Sequence, residues 1–153
     1  LPNNEGLLSE CGLLGGLNKY AGNIIRKRGS SPKFQVYNNA LITSQSNETY
    51  DKAKLNPRLW GRLTESSIGT HLINHSVSER YNLYYWRESN YEVDFILGKG
   101  DSLVGLEVKS GLKADNPGMD VFSRKFRPGK VLLIGTGGIP CEEFLKINPK
   151  ELF

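Results

Sequence analysis

Cysteine is scarce in this chain. Cys11 and Cys141 are the only two, they lie far apart, and neither belongs to a Cys-x-x-Cys pair. Neither a disulfide framework nor a zinc knuckle is indicated, and a reducing, cytoplasmic setting is the expectation. Long apolar runs are missing as well. Nothing approaches the ~18 consecutive apolar residues of a membrane helix, and the opening Leu-Pro-Asn-Asn-Glu lacks the charged-then-apolar layout of a signal peptide, so no membrane partner is expected. Methionine occurs once, at Met119, while the first residue is Leu1, which points to a segment cut from a longer protein. Neither sign of charge is in large excess. Twenty Lys plus Arg against sixteen Asp plus Glu give +4, compatible with nucleic acid and equally with an ordinary solvated surface. What is present is globular: 38% hydrophobic and 24% charged residues exclude collagen-like, coiled-coil and strongly disordered chains. The 153 residues suit one domain on the prior of ~100–200 residues each.

The polar stretch Ser44-Gln45-Ser46-Asn47-Glu48-Thr49 divides the chain, and neither side carries a repeat or a low-complexity block. Residues 1–46 read as a leading segment, the end of an upstream or linker region. In it Leu7, Leu8, Cys11, Leu13 and Leu14 suggest a short helix running into a turn at Gly15-Gly16, and Lys33 to Tyr37 alternates like a strand. Between them Arg26-Lys27-Arg28 is either a solvated loop or a phosphate-contacting patch. The main domain, 47–153, opens with a marked helix: Asn56 is an N-cap candidate, Pro57 suits the first helical position, and apolar residues recur to about Val77. Three strands follow, Leu83 to Arg87, Tyr91 to Leu97 and Leu103 to Lys109, joined by short turn-forming separators. A helix over Asp115 to Phe126 and a buried strand over Lys130 to Gly135 complete the order helix, three antiparallel strands, helix, strand.

The second and third strands carry the informative constellation. Folded about a 98–101 loop, they set Leu97 opposite Ser102 and Asp94 opposite Gly105, and directly opposed residues share a face. Alternation then puts Glu92, Asp94, Ile96, Leu103, Gly105, Glu107 and Lys109 on one face, and Val93, Phe95, Leu97, Val104, Leu106 and Val108 on the other. The second face is wholly apolar, so a core there locks the register. On the polar face Asp94 and Glu107 become diagonal neighbours ~7–8 Å apart, able to close on one hard divalent ion such as magnesium. Gly105 leaves room for an ion or a phosphate, and Lys109 can orient the attacking water and offset charge on phosphate. The bland alternative is a salt-bridged solvent face. Glu65 falls on the helix stripe Gly61, Glu65, Ile68, Leu72, where a carboxylate needs a partner or a metal.

Other residues have weaker signals. His71 and His75 lie one helical turn apart but complete no His-Glu-x-x-His motif, so packing or surface roles are expected. Tyr84 and Trp86 read as packing residues beneath the helices. Arg87 on the opposite side could meet a phosphate or pair with Glu88 or Glu92. Gly135-Thr-Gly-Gly138 reads as a turn.

Helix-borne Glu65, strand-borne Asp94 and Glu107-Val108-Lys109, set in that order, resemble the PD-(D/E)XK nuclease superfamily of restriction enzymes and Holliday-junction resolvases. A closer likeness runs through nearly the whole chain. Lys33-Phe-Gln-Val-Tyr37, the Glu65 helix, Tyr85-Trp86-Arg87, Glu92-Val-Asp-Phe95, Glu107-Val-Lys109 and Glu143-Phe-Leu145 resemble the domain of unknown function 4143, the C-terminal part of bacterial and archaeal AAA-type ATPases. One departure is Asn38, where that family usually has aspartate. The resemblance implies an α/β, restriction-endonuclease-like core with a mixed central sheet flanked by helices. It implies a P-loop ATPase upstream in the same chain. ATP would bind only there, since no Gly-x-x-x-x-Gly-Lys-Ser/Thr occurs in this segment.

It also implies a magnesium (or manganese) site of Asp94, Glu107, the Val108 carbonyl and Glu65, with Lys109 as the catalytic lysine. Phosphodiester hydrolysis in DNA is the leading expectation. Arg87, Lys113, Arg124 and Lys125, with Arg26, Lys27, Arg28 and Arg127, are available for phosphate contacts. The other expectation is a catalytically inactive module that binds nucleic acid or a partner for the ATPase. The oligomeric state is left open.

Overall fold

The computed structural model describes residues 11–22, 31–111 and 117–153. Six strands form one mixed sheet in the order β2-β1-β3-β4-β5-β6: β1 (Leu14–Lys19), β2 (Lys33–Val36), β3 (Asn82–Glu88), β4 (Tyr91–Lys99), β5 (Ser102–Lys109) and β6 (Lys130–Gly135). β3, β4 and β5 are antiparallel neighbours, as expected from their short separators. β1 joins β3 in parallel, and β6 joins β5 in parallel. The helices are α1 (Ala40–Thr43), α2 (Tyr50–Leu55), α3 (Pro57–Ser76), α4 (Pro117–Phe126) and α5 (Cys141–Phe144), followed by a 3-10 turn at Pro149–Leu152. Among the described residues no helix is long and apolar enough to cross a membrane.

The long helix begins where its sequence signal lies. The Asn56 side chain accepts the Leu59 N–H at 3.2 Å and Pro57 occupies the first turn. Ile68, Leu72 and Ile73 then pack on a sheet face built from Phe95, Leu97, Val104 and Leu106, closed off by Phe144 and Leu152.

The opposite face is not solvated, contrary to the expected polar face. Trp86, Val93, Ile96 and Phe122 form a second buried cluster under α4. A Cβ on Gly105 would lie 3.3 Å from the Phe122 ring, so that glycine makes room for α4 and not for an ion or a phosphate. Tyr84 and Trp86 pack as expected: Tyr84 flanks this cluster, and Trp86 meets Phe122 and Phe126.

Two local features correct the expected strand pairing. The β4–β5 loop is two residues long, because Lys99 pairs with Ser102. Gly100, at φ +55°, supplies the left-handed backbone that short hairpin loops need at this position. Relative to the expected pairing the register moves by two residues, which preserves the faces of β5 but places Ile96, not Asp94, opposite Gly105. The second feature is a bulge: Tyr84 pairs with Ile96 and Trp86 with Val93, so Asp94 and Phe95 both stand against Tyr85. A bulge reverses the alternation beyond it. Val93 therefore joins the α4-side cluster instead of the α3-side core.

The leading segment supplies β1 and β2. Gly15 and Gly16 lie within β1 and pair with Gln35 and Phe34, so the expected turn there is a strand. Leu7 and Leu8, Arg26-Lys27-Arg28, Lys113 and the start of the Asp115 helix lie outside the described residues. β6 is an edge strand with Val131 39% exposed, less buried than its apolar run suggests, because its outer edge is covered by no further strand and meets only the Ile139 backbone near its end. The 135–138 stretch is a turn, with Gly135 at φ +94° and Gly137 at φ +81°.

Candidate active site

The bulge removes Asp94 from the regular ladder and leaves its main-chain N–H to find another acceptor. Glu107 provides it. Continuing the β4–β5 register puts Glu107 directly opposite Asp94, where a diagonal relation was expected. The Asp94 N–H donates to Glu107 Oε2 at 3.3 Å, while the Val108 N–H donates to Asp94 Oδ2 at 2.9 Å. Both carboxylates are buried, 9% and 5% exposed. Burial, reinforced by the charges of Glu107 and Glu65, pushes the Asp94 carboxyl up to about 7, although Lys33 and the Val108 N–H pull the other way.

Lys109, two residues along β5 from Glu107, follows it by alternation. Its Nζ lies 2.7 Å from Glu107 Oε1. Burial opposes the Lys109 charge, but the Glu107 hydrogen bond and the charges of Glu107, Asp94 and Glu65 outweigh it and hold the ammonium above its ordinary value. Lys109 is also one of the residues lining a largely apolar cleft of about 460 Å³ between α3, α5 and the 135–136 turn, with Trp60, Leu63 and Leu145 on its walls.

Glu65 sits at the edge of the α3 stripe, its side chain 33% exposed, and the partner it required is a lysine. Lys33 Nζ is 2.6 Å from Glu65 Oε1, 3.7 Å from Asp94 Oδ1, 4.0 Å from Glu92 Oε1 and 3.5 Å from the Asp94 carbonyl oxygen. Its ammonium also lies 5.1 Å from the Phe95 ring centroid. Lys33 was not among the expected site residues.

The clamp that delivers Lys33 runs through Gln35, which alternation puts on the same side of β2. Gln35 Nε2 donates to the Ser66 carbonyl at 3.0 Å and to Thr70 Oγ1 at 3.2 Å, and Thr70 Oγ1 donates to the Val36 carbonyl at 3.0 Å. Just upstream, the Tyr85 hydroxyl donates to the Ser31 carbonyl at 2.9 Å. The available signal was the pairing of Lys33 with a glutamine two residues on, in a strand whose intervening residue, Phe34, is 42% exposed.

The other named residues are engaged elsewhere. Arg87 pairs with Glu92, its Nη2 2.6 Å from Oε2, one of the two partners anticipated for it. Lys125 pairs with Glu88, and Arg124 Nε donates to the Asp120 carbonyl at 3.3 Å. His71 Nε2 donates to the Ile147 carbonyl at 2.9 Å and His75 Nδ1 to the His71 carbonyl at 2.8 Å, the packing roles expected of them.

Chemically, four carboxylates, Glu65, Glu92, Asp94 and Glu107, meet the cations Lys33, Arg87 and Lys109. Carboxylate oxygens suit a hard divalent ion. Asp94 and Glu107 fit one by donor chemistry and by their direct opposition. Glu65 does not complete a three-carboxylate set in this arrangement, because it is turned to Lys33. Among the described residues no three His, Cys, Asp or Glu side chains form a ligand group.

A family model described as a domain of unknown function, DUF4143, matches residues 60–144, more than half of the chain but less than the near-complete likeness expected. That span contains Glu65, Asp94 and Glu107-Val108-Lys109 and stops short of Lys33. No curated protein and no solved structure matches the chain.

Proposed function

The chain belongs to the DUF4143 family, and from that premise we propose that it is a nuclease-like domain hydrolysing phosphodiesters in DNA with a divalent ion, magnesium or manganese. The observation that carries this reading is the meeting of Asp94 and Glu107 across β4 and β5, with Lys109 2.7 Å from Glu107. The order helix, three antiparallel strands, helix, strand supports a restriction-endonuclease-like core around it.

In this reading Asp94, Glu107 and the Val108 carbonyl hold the ion, which supplies Lewis-acid polarisation and a more acidic bound water. Lys109 orients the water and offsets charge developing on phosphate, from a position that also lines the adjacent cleft. Arg87, Arg124 and Lys125 contact flanking phosphates by exchanging their present partners, and Arg127 adds a further positive charge. The AAA-type ATPase expected upstream would bring the ATP site, and the assembly would work in the cytoplasm.

The test is cleavage of plasmid or branched DNA by the parent protein in manganese, wild type against Lys109→Ala, with both checked for folding. Loss of cleavage in the variant supports the reading. Equal cleavage removes Lys109 from the mechanism, and no cleavage by the wild type favours the second reading.

That second reading is a catalytically inactive module that binds nucleic acid or a partner protein for the ATPase. The position of Lys33, already neutralising Glu65 and Asp94, favours it. DNA binding without cleavage would support it.

A further inference from the structure

Lys33 stands in an unusual relation to the acidic cluster. It comes from the edge strand β2, remote in sequence from the other members, yet its ammonium lies within 4.0 Å of Glu65, Glu92 and Asp94 carboxylate oxygens. Its side chain is only 24% exposed. Its neighbours are locked, since Gln35 is hydrogen-bonded into α3 and a Cβ on Gly69 would lie 2.0 Å from Gln35 Oε1. The clamp fixes the strand from which Lys33 extends, and the ion pairs with Glu65 and Asp94 hold its ammonium inward. Its positive charge thus stands against both Glu65 and Asp94, 2.6 Å and 3.7 Å from their carboxylate oxygens.

We propose that Lys33 is a tethered counter-cation that holds Glu65 away from the Asp94–Glu107 pair, so that the site takes a divalent ion on two carboxylates and binds it weakly. The inference rests on the metal-site reading above and specifies how that site is regulated: its ion affinity is set by whether Lys33 keeps Glu65. Two consequences follow from charge alone. With Lys33 in place, an incoming dication meets a positive neighbour and a Glu65 whose charge is already used. Without it, Glu65 and Asp94 repel each other and both are free to turn to the ion.

Manganese binding to the purified chain at pH 8, read from the loss of the free-ion electron paramagnetic resonance signal, tests this. Lys33→Met is expected to bind manganese about tenfold more tightly than wild type. Glu65→Gln added to Lys33→Met is expected to cancel most of that gain, whereas Glu65→Gln alone leaves the wild-type affinity within about twofold. Lys33→Met equal to or weaker than wild type overturns the role of Lys33 while leaving the metal site standing. No manganese bound by either protein overturns the metal site and this inference together. If Lys33→Met does not fold, Glu65→Gln alone decides: a large loss of affinity means that Glu65 is already a ligand and that Lys33 does not restrain it.

Discussion

Asp94 and Glu107 are joined through the main chain as well as by proximity: the Asp94 N–H donates to Glu107, and the Asp94 carboxylate accepts from Val108, the residue after Glu107. The bulge at Asp94 makes this exchange available. Two buried acids are thereby held at one position, and their repulsion is offset by lysines from two different strands.

That arrangement has a pH signature. Asp94 titrates at about 7 in the folded chain against an ordinary 3.8, through burial first and then the charges of Glu107 and Glu65. Between those values the folded state keeps a proton that the unfolded chain has lost, so stability falls as pH rises through that window. Thermal melts in a chelator should show a declining melting temperature over it. Asp94→Asn should flatten the decline and melt higher than wild type at pH 8, with little difference at pH 4; a parallel decline in both proteins would refute the assignment to Asp94.

Lys109→Met keeps the length of the side chain and removes its charge, leaving Glu107 buried with only the Asp94 N–H. The expected cost is about 1–3 kcal/mol, below that of a fully buried pair because Lys109 is partly exposed. Urea unfolding measures it. An unchanged midpoint would mean that the Lys109–Glu107 contact contributes nothing to folding.

Gly69→Ala tests the clamp that positions Lys33. The added methyl would meet Gln35 Oε1 at 2.0 Å, Gln35 Cδ at 2.5 Å and the Phe95 ring at 2.8 Å, an overpacking worth about 1–3 kcal/mol. Gly111→Ala, with nothing within 4 Å, is the control and should melt with the wild type. Equal melting of both variants would show that β2 can move off α3 at no cost.

Asn56→Ala removes the side-chain acceptor of the Leu59 N–H and should destabilise the chain by about 0.5–2 kcal/mol. Manganese binding should stay as in wild type, since the cap lies two turns before Glu65. A coupled loss of both would mean that the first turn of α3 helps place Glu65.

Capping at Asn56–Pro57, alternation in β4 and β5, and the short separators between strands all concern residues close in sequence. The long helix, the three antiparallel strands and the candidates Asp94, Glu107 and Lys109 were legible for that reason. The β4–β5 loop length was not, because Gly98-Lys-Gly-Asp101 offers turn formers for two registers that leave the same residues on the same faces of β5. The bulge at Asp94 was hidden similarly: periodicity assumes unbroken alternation, and the competing demands of the two apolar clusters decide where it breaks.

Lys33 marks the boundary between the two kinds of information. Its strand pattern could be read locally, but its place beside Glu65 and Asp94 depends on β1 pairing in parallel with β3 and on Gln35 bonding into α3. The chain alone specified two strand acids and a lysine at hairpin spacing. Long-range packing added the second lysine and turned Glu65 toward it, because a partly buried carboxylate takes the nearest cation that the fold brings within reach.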